Sequence, residues 1–213
     1  MKDTDRFIRG FKTFQKVYFS PDGSRYDSLQ QGQSPKTMVI GCSDSRVDPA
    51  ILTNCEPGDI FTIRNVANLV PPYETKGGYH GVSAAIEFAV CLLGVEHIIV
   101  LGHSQCGGAA ALLEGRCGCP DGGFISRWMS IAAPALERVL AETPGADKAA
   151  QLLALEQSSI LLSLDNLRSF PFIAERIAAG KLSLHGWYFD LAAGDLLEYH
   201  AEHESFRTLS GHP

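Results

Sequence analysis

The run Ile98-Ile99-Val100-Leu101-Gly102-His103-Ser104-Gln105-Cys106-Gly107-Gly108 decides how this chain is read. Its four leading apolar residues suit a strand buried on both faces, as the interior of a parallel sheet requires. Metal-binding residue types follow directly. Two other short runs share the pattern, Met38-Val39-Ile40, which leads into Gly41-Cys42-Ser43-Asp44-Ser45-Arg46, and Ile60-Phe61-Thr62-Ile63. Ser83 to Leu93 has few polar residues and suits a helix packed on such a sheet. Strands alternating with helices predict an α/β fold, a central, mostly parallel sheet with flanking helices and right-handed crossovers.

Outward from this centre, Ala109 to Leu113, Ile125 to Ala141 and Asp147 to Leu167 read as helices. Leu182 to Phe189 and Asp195 to His200, split by Ala192-Ala193-Gly194, read as a strand pair. At the other end Phe7, Ile8, Phe11, Phe14, Val17 and Tyr18 recur at helical spacing, and Ser20-Pro21-Asp22-Gly23 closes the segment with a turn. Residues 1–20 are therefore expected to form an N-terminal helical arm, which either caps its own domain or packs on a partner subunit. No linker or repeat divides the 213 residues, so one domain spanning 1–213 is expected.

Apolar residues make up 45% of the chain and charged residues 20%, the profile of a soluble globular protein. A formal charge of -6 with no basic patch argues against nucleic-acid binding, and the lack of a long apolar run argues against a membrane span. The first twenty residues lack the apolar core of a secretory signal, so a reducing cytoplasm is the expected compartment. There, six cysteines read as buried thiols or metal ligands rather than disulfides.

Ligands bind at the carboxyl ends of the strands of an open parallel sheet. Cys42 ends one run, and His103 with Cys106 ends another. If the two strands are neighbours, two thiolates and an imidazole meet, a set that suits zinc and leaves a fourth tetrahedral position open. Asp44 and Arg46 beside Cys42 read either as a surface ion pair or as part of the site.

Taken together, Cys42-Ser43-Asp44-Ser45-Arg46, Arg64-Asn65-Val66-Ala67-Asn68 and Gly102-His103-Ser104-Gln105-Cys106-Gly107-Gly108 resemble the three signature segments of beta-class carbonic anhydrases. The resemblance runs from about Gln31 to Gly115 and is closer to plant-type members. It implies one zinc ion per chain on Cys42, His103 and Cys106, and a catalytic Asp44-Arg46 dyad. It also implies carbon dioxide and bicarbonate as substrates, and a homodimer or dimer of dimers. Zinc-bound hydroxide then attacks carbon dioxide, with Asp44 accepting the hydroxide's hydrogen and Arg46 holding Asp44 off the metal. The resemblance further implies substrate contacts for Gln33, Phe61, Val66, Phe88 and Gly107. By themselves Gln33 reads as an exposed loop amide, and Phe61, Val66 and Phe88 as core. Gly102 and Gly107-Gly108 are expected to let backbone approach closely near the metal. The same scaffold also suits a carbon disulfide or carbonyl sulfide hydrolase, and a noncatalytic zinc or bicarbonate-binding protein is a third reading.

Several positions depart from relatives of that class. Phe88 and Leu92 stand where plant-type members would have Tyr and a proton-carrying His. His80 is then a candidate carrier, against a structural role or direct transfer to buffer. Val39 and Phe189 stand where some bacterial members place a Trp and a Tyr around a regulatory bicarbonate, and only Arg64 matches that pocket. Cys91, in an apolar helix, is expected in the core, and Cys117-Gly118-Cys119 reads as a loop with two free thiols, or as a redox or metal motif.

Overall fold

A computed structural model describes residues 4–19, 25–76, 79–117 and 123–210. Its helices are α1 (Thr4–Tyr18), α2 (Arg25–Leu29), α3 (Pro49–Leu52), α4 (Gly81–Glu87), α5 (Gly107–Leu113), α6 (Phe124–Met129), α7 (Ala133–Glu142), α8 (Lys148–Arg168) and α9 (Pro171–Ala178). Its strands are β1 (Thr37–Cys42), β2 (Ile60–Asn65), β3 (His97–His103), β4 (Ser183–Phe189), β5 (Leu196–His200) and β6 (Ser205–Ser210).

All six strands join one sheet in the order β2-β1-β3-β4-β5-β6. The first four run parallel, and β5 and β6 add antiparallel at one edge. β1 lies between β2 and β3, so the carboxyl ends of the two ligand-bearing strands are adjacent. Gly41 pairs with Leu101, which puts Cys42 beside Gly102 and one residue from His103.

The alternation of side chains along a strand divides the core. Met38, Ile40, Ile98 and Val100 face one side, where Ile86, Ala89 and Val90 and the α8 residues Ile160, Leu164 and Leu167 cover them. Val39, Ile99 and Leu101 face the other side, with Trp187, Phe189 and Leu196 packed against them. Each buried branched side chain contributes about 1.5–3 kcal/mol. Gly102 and Gly186 let α8 lie close to the sheet, because a Cβ at Gly102 would come within 2.7 Å of Ile160 and one at Gly186 within 3.0 Å.

The expected helix over Ser83 to Leu93 is α4 followed by a π-helical segment, Phe88–Leu93, which ends at Gly94 with φ 70. The wider turn changes the helical phase, so Ala89 and Val90 face the core while Leu92 is 72% exposed. Cys91, expected in the core, is exposed for the same reason. The expected helix over Ile125 to Ala141 is broken into α6, a 3-10 turn and α7, which restarts at Ala133 with Pro134 in its first turn, where the missing N–H costs nothing. Cys119 lies outside the described residues.

Candidate metal centre

Cys42 is the last residue of β1, His103 the last of β3, and Cys106 precedes α5. All three are at least 95% buried, at 5%, 1% and 2% exposure. Their ligand atoms lie within 4.8 Å of one another. The turn that returns Cys106 toward Cys42 needs Gln105 at φ 58, a left-handed conformation that is strained for a residue with a side chain. Polar contacts hold the turn. The Ser104 amide donates to Phe189 O at 2.9 Å, and the Cys106 amide donates to Glu156 Oε1 at 2.8 Å.

His103 Nδ1 lies 2.9 Å from Ser104 O. A carbonyl only accepts, so Nδ1 carries the hydrogen and Nε2 keeps its lone pair. Among the described residues that Nε2 is buried with no hydrogen-bond partner, which is how a metal-binding imidazole is prepared. The two sulfurs titrate together: the contact with Cys106 pulls the Cys42 thiol down, and the contact with Cys42 together with burial pushes the Cys106 thiol up. A divalent cation offsets the repulsion between two thiolates, and the donor set matches the softness and open position of zinc.

Asp44 lies beside this cluster. Its amide donates to Cys42 Sγ at 3.4 Å. Arg46 grips its carboxylate in bidentate fashion, Nε to Oδ1 at 2.9 Å and Nη2 to Oδ2 at 2.7 Å, and the Arg46 amide also donates to Oδ1 at 2.9 Å. Arg46 Nη2 also reaches Gln105 O at 3.0 Å, tying the β1 turn to the β3 turn. These bonds from Arg46 hold the Asp44 carboxyl well below the usual carboxylate range. Arg64 anchors the same turn, donating to Cys42 O, Asp44 O and Asp48 Oδ2, while Asp48 Oδ1 caps α3 through the Ala50 amide.

The other expected site residues are dispersed. Phe61 and Phe88 stack with centroids 5.8 Å apart, and Phe88 is 41% exposed. Val66 lines a cavity of about 680 Å³ with Asn65, His80 and Trp128, whose described wall includes neither Phe61, Phe88 nor Gln33. Gln33 sits on the exposed segment before β1. A Cβ at Gly108 would meet Val66 at 2.9 Å and Ala67 at 3.1 Å, as a close-approach glycine should. At Gly107 it would meet nothing within 4 Å, so the close-packing expectation does not hold there.

A family model described as Carbonic anhydrase matches residues 37–196. A carbonic anhydrase of Pseudomonas aeruginosa is 39% identical over 207 residues, 97% of this chain and 92% of that one. Beta carbonic anhydrase 5, chloroplastic, of Arabidopsis thaliana is 41% identical over 186 residues, 87% of this chain and 61% of that one. The solved structure of the beta-carbonic anhydrase CcaA matches with a TM-score of 0.91 at 33% identity, covering 99% of this chain and 94% of that one. The chain belongs to the beta class of the carbonic anhydrase family. A solved structure of tetrameric beta-carbonic anhydrases from Sordaria macrospora matches with a TM-score of 0.70 at 32% identity, covering 92% of each chain. The protein is thus a carbonate dehydratase, and its Cys-His-Cys cluster is consistent with zinc-dependent hydration of carbon dioxide. The expected nearness to plant-type members does not stand out, because the bacterial relative matches almost as closely over more of both chains.

Glu156 and Tyr188 were missed by sequence reasoning. Glu156 is 5% exposed, and its second oxygen accepts from Tyr188 Oη at 2.8 Å. Burial raises its pKa against the opposing hydrogen bond from the Cys106 amide. The signal available was an acid on the buried stripe of α8, in step with Ile160, Ser163 and Leu167.

Proposed function

We propose that Cys42, His103 and Cys106 hold one zinc ion per chain and that Asp44 and Arg46 orient the nucleophile for reversible hydration of carbon dioxide to bicarbonate and a proton. The observation that carries this is the buried three-ligand cluster with the clamped Asp44 beside it. Zinc bound there supplies the Lewis acidity that makes water a nucleophile near neutral pH.

The chain's own residues supply orientation. An ionised carboxylate offers about four acceptor positions and no donor. Arg46 fills two on Oδ1 and one on Oδ2, so the remaining position is on Oδ2. An attacking hydroxide that gives its hydrogen to Oδ2 turns a lone pair toward the carbon of the substrate. Arg46 is permanently charged and binds in two parallel contacts, so the carboxylate stays in this pose rather than swinging onto the metal. Val66, Phe61 and Phe88 are assigned the exclusion of water around carbon dioxide, Gln33 a hydrogen bond to a substrate oxygen, and Gly107 open space at the start of α5.

We also infer a homodimer or dimer of dimers. In α1 no residue is buried, and Phe7, Ile8, Phe11 and Val17 are each more than half exposed, a face that a second copy would cover. The tetrameric relatives support this. The reading is of one catalytic domain with a helical arm, working in a reducing cytoplasm that keeps Cys42 and Cys106 as thiols. No described helix is long and apolar enough to cross a membrane.

Stopped-flow hydration assays with zinc analysis test the function. Stoichiometric zinc without hydration above the metal-free protein would refute it. Light scattering tests the assembly, and a monomer at micromolar concentration would refute that part.

A further inference from the structure

The amino end of the sheet, opposite the metal centre, carries side chains that hydration does not use. β3 begins at His97 and ends at His103, so the two ends lie about 20 Å apart at the ordinary rise of a strand. The register sets His97 beside Ser183 and Trp187 beside Glu198. Alternation along β4 puts Ser183, His185 and Trp187 on one face, so Glu198 reaches back to His185.

Ser183 Oγ lies 3.0 Å from His185 Nε2, and His185 Nδ1 lies 2.9 Å from Glu198 Oε1. An ionised carboxylate only accepts, so Nδ1 carries the ring hydrogen and Nε2 keeps the lone pair that takes the serine hydrogen. Trp187 Nε1 donates to the same Glu198 oxygen at 3.3 Å. Glu96 O, 3.5 Å from Ser183 Oγ, is too distant to compete for the serine hydrogen. With that hydrogen committed to His185, His97 Nδ1, 2.7 Å from Oγ, is a donor. Carboxylate, imidazole and hydroxyl in this order, bonded through the two different ring nitrogens, are the arrangement that activates a serine for nucleophilic attack.

The hydroxyl is also within reach of a ligand. Ser183 and His97 line a cavity of about 590 Å³, a size that suits a small organic molecule. His185 and Glu198 are partly covered, with side chains 31% and 21% exposed. Glu96 is the only acid among the described lining residues, and Lys36 pairs with it at 2.6 Å. Arg176 spends its guanidinium on the carbonyls of Val90, Gly94 and Val95 and so braces the wall. Lys181 and the His97 N–H supply positive charge and a donor on the cavity side.

We propose that Ser183, His185 and Glu198 form a second catalytic site, independent of the metal centre, which hydrolyses small carboxylic esters. Ser183 Oγ bonds to the acyl carbon while its hydrogen passes to His185 Nε2, and the His97 N–H and Lys181 stabilise the oxygen that becomes negative. The bond from the acyl carbon to the alcohol oxygen then breaks, and the alcohol leaves with the proton held by His185. Water adds to the acyl-serine, giving a hydrogen to His185, and the acid departs as Ser183 recovers that hydrogen. Ester and water thus give acid and alcohol with no other reactant. Glu198 touches only the imidazole and is a positioning residue that fixes its tautomer.

The zinc-loaded enzyme tests this directly. Hydrolysis of p-nitrophenyl acetate is measured with and without a sulfonamide that blocks carbon dioxide hydration, and a fluorophosphonate probe labels the reactive serine. Ester hydrolysis should persist when hydration is blocked, and peptide mass spectrometry should place the phosphonyl adduct on Ser183. Ser183→Ala and His185→Gln should each lower the ester rate by about 10²-fold or more, the usual worth of a general base, while hydration stays at the wild-type rate. Glu198→Gln should slow labelling of Ser183, which a merely structural contact would not do. Ester hydrolysis that falls in step with hydration under the sulfonamide belongs to the metal centre and overturns the proposal. An adduct elsewhere, no adduct, or an unchanged labelling rate in His185→Gln overturns it as well. Should Ser183→Ala fail to fold, the adduct on the wild-type chain decides. A zinc-loaded enzyme without hydration would sink the zinc reading and leave the same adduct to decide this one.

Discussion

Replacing Glu156 separates what its shape does from what its hydrogen bonds do. The carboxylate receives the Cys106 amide on one oxygen and the Tyr188 hydroxyl on the other, both at 2.8 Å and both in buried surroundings. Glu156→Leu leaves those two donors without acceptors, and each orphaned buried group costs about 1–3 kcal/mol, so the loss is about 2–6 kcal/mol before any gain from burying leucine. Glu156→Gln keeps an acceptor for the Cys106 amide and can donate to the Tyr188 oxygen, so its cost should be about 1 kcal/mol or less. Glu156→Leu should also loosen the turn that presents Cys106. Losing a group that supports a metal ligand costs about 10–100-fold in metal affinity, so the leucine variant should release zinc to a competing chelator at correspondingly lower chelator concentration. Urea unfolding of the zinc-loaded proteins and chelator competition measure the two effects. If Glu156→Leu unfolds within about 0.5 kcal/mol of wild type, inside the range of an ordinary surface substitution, and retains zinc equally well, the anchoring argument is wrong.

Arg46→Ala should keep its zinc but lose activity by about 10²-fold or more, as expected when a preorganised catalytic contact is removed; full activity at neutral pH would rule out the clamp. The Asp44 pKa is depressed, so any stability from the Asp44–Arg46 pair is fully present above the ordinary carboxylate pKa of about 4 and is lost only as pH falls through the lower folded value. Wild type and Asp44→Asn should therefore keep a constant stability difference between about pH 6 and 8, converging only in strong acid, and convergence near neutrality would contradict the depressed value. Bicarbonate should inhibit without cooperativity, because Val39 is buried among Ile99, Leu101, Trp187 and Phe189 while Arg64 is committed to Cys42 O, Asp44 O and Asp48. Steep cooperative inhibition at fixed pH and ionic strength would show a second bicarbonate site.

The sheet and the Cys-His-Cys cluster were legible because their signals are local. Met38 to Ile40 and Ile98 to Val100 must be apolar on both faces to sit inside a parallel sheet, and Cys42, His103 and Cys106 follow immediately at the end where such sheets bind ligands. The exposure of Cys91 was not legible, because it depends on one wider turn after Glu87, and composition does not register helical phase. β6 was missed because Ser205 to Ser210 is an edge strand with a mixed pattern that becomes a strand only through pairing with β5.

The separation of His103 from Cys106 illustrates the limit most sharply. Two intervening residues allow the imidazole and thiol to converge only if the chain reverses tightly, and here that reversal places Gln105 in left-handed backbone. A glycine would accept that conformation freely, whereas glutamine costs on the order of 1 kcal/mol or more there. The compensation comes from distant parts of the sequence. Arg46 takes the Gln105 carbonyl, Glu156 takes the Cys106 amide, and the Phe189 carbonyl takes the Ser104 amide. Three partners from β1's turn, α8 and β4 thus impose a conformation that the local residues do not favour. The three residues can be named from the spacing, but the geometry that brings them together belongs to the assembled fold.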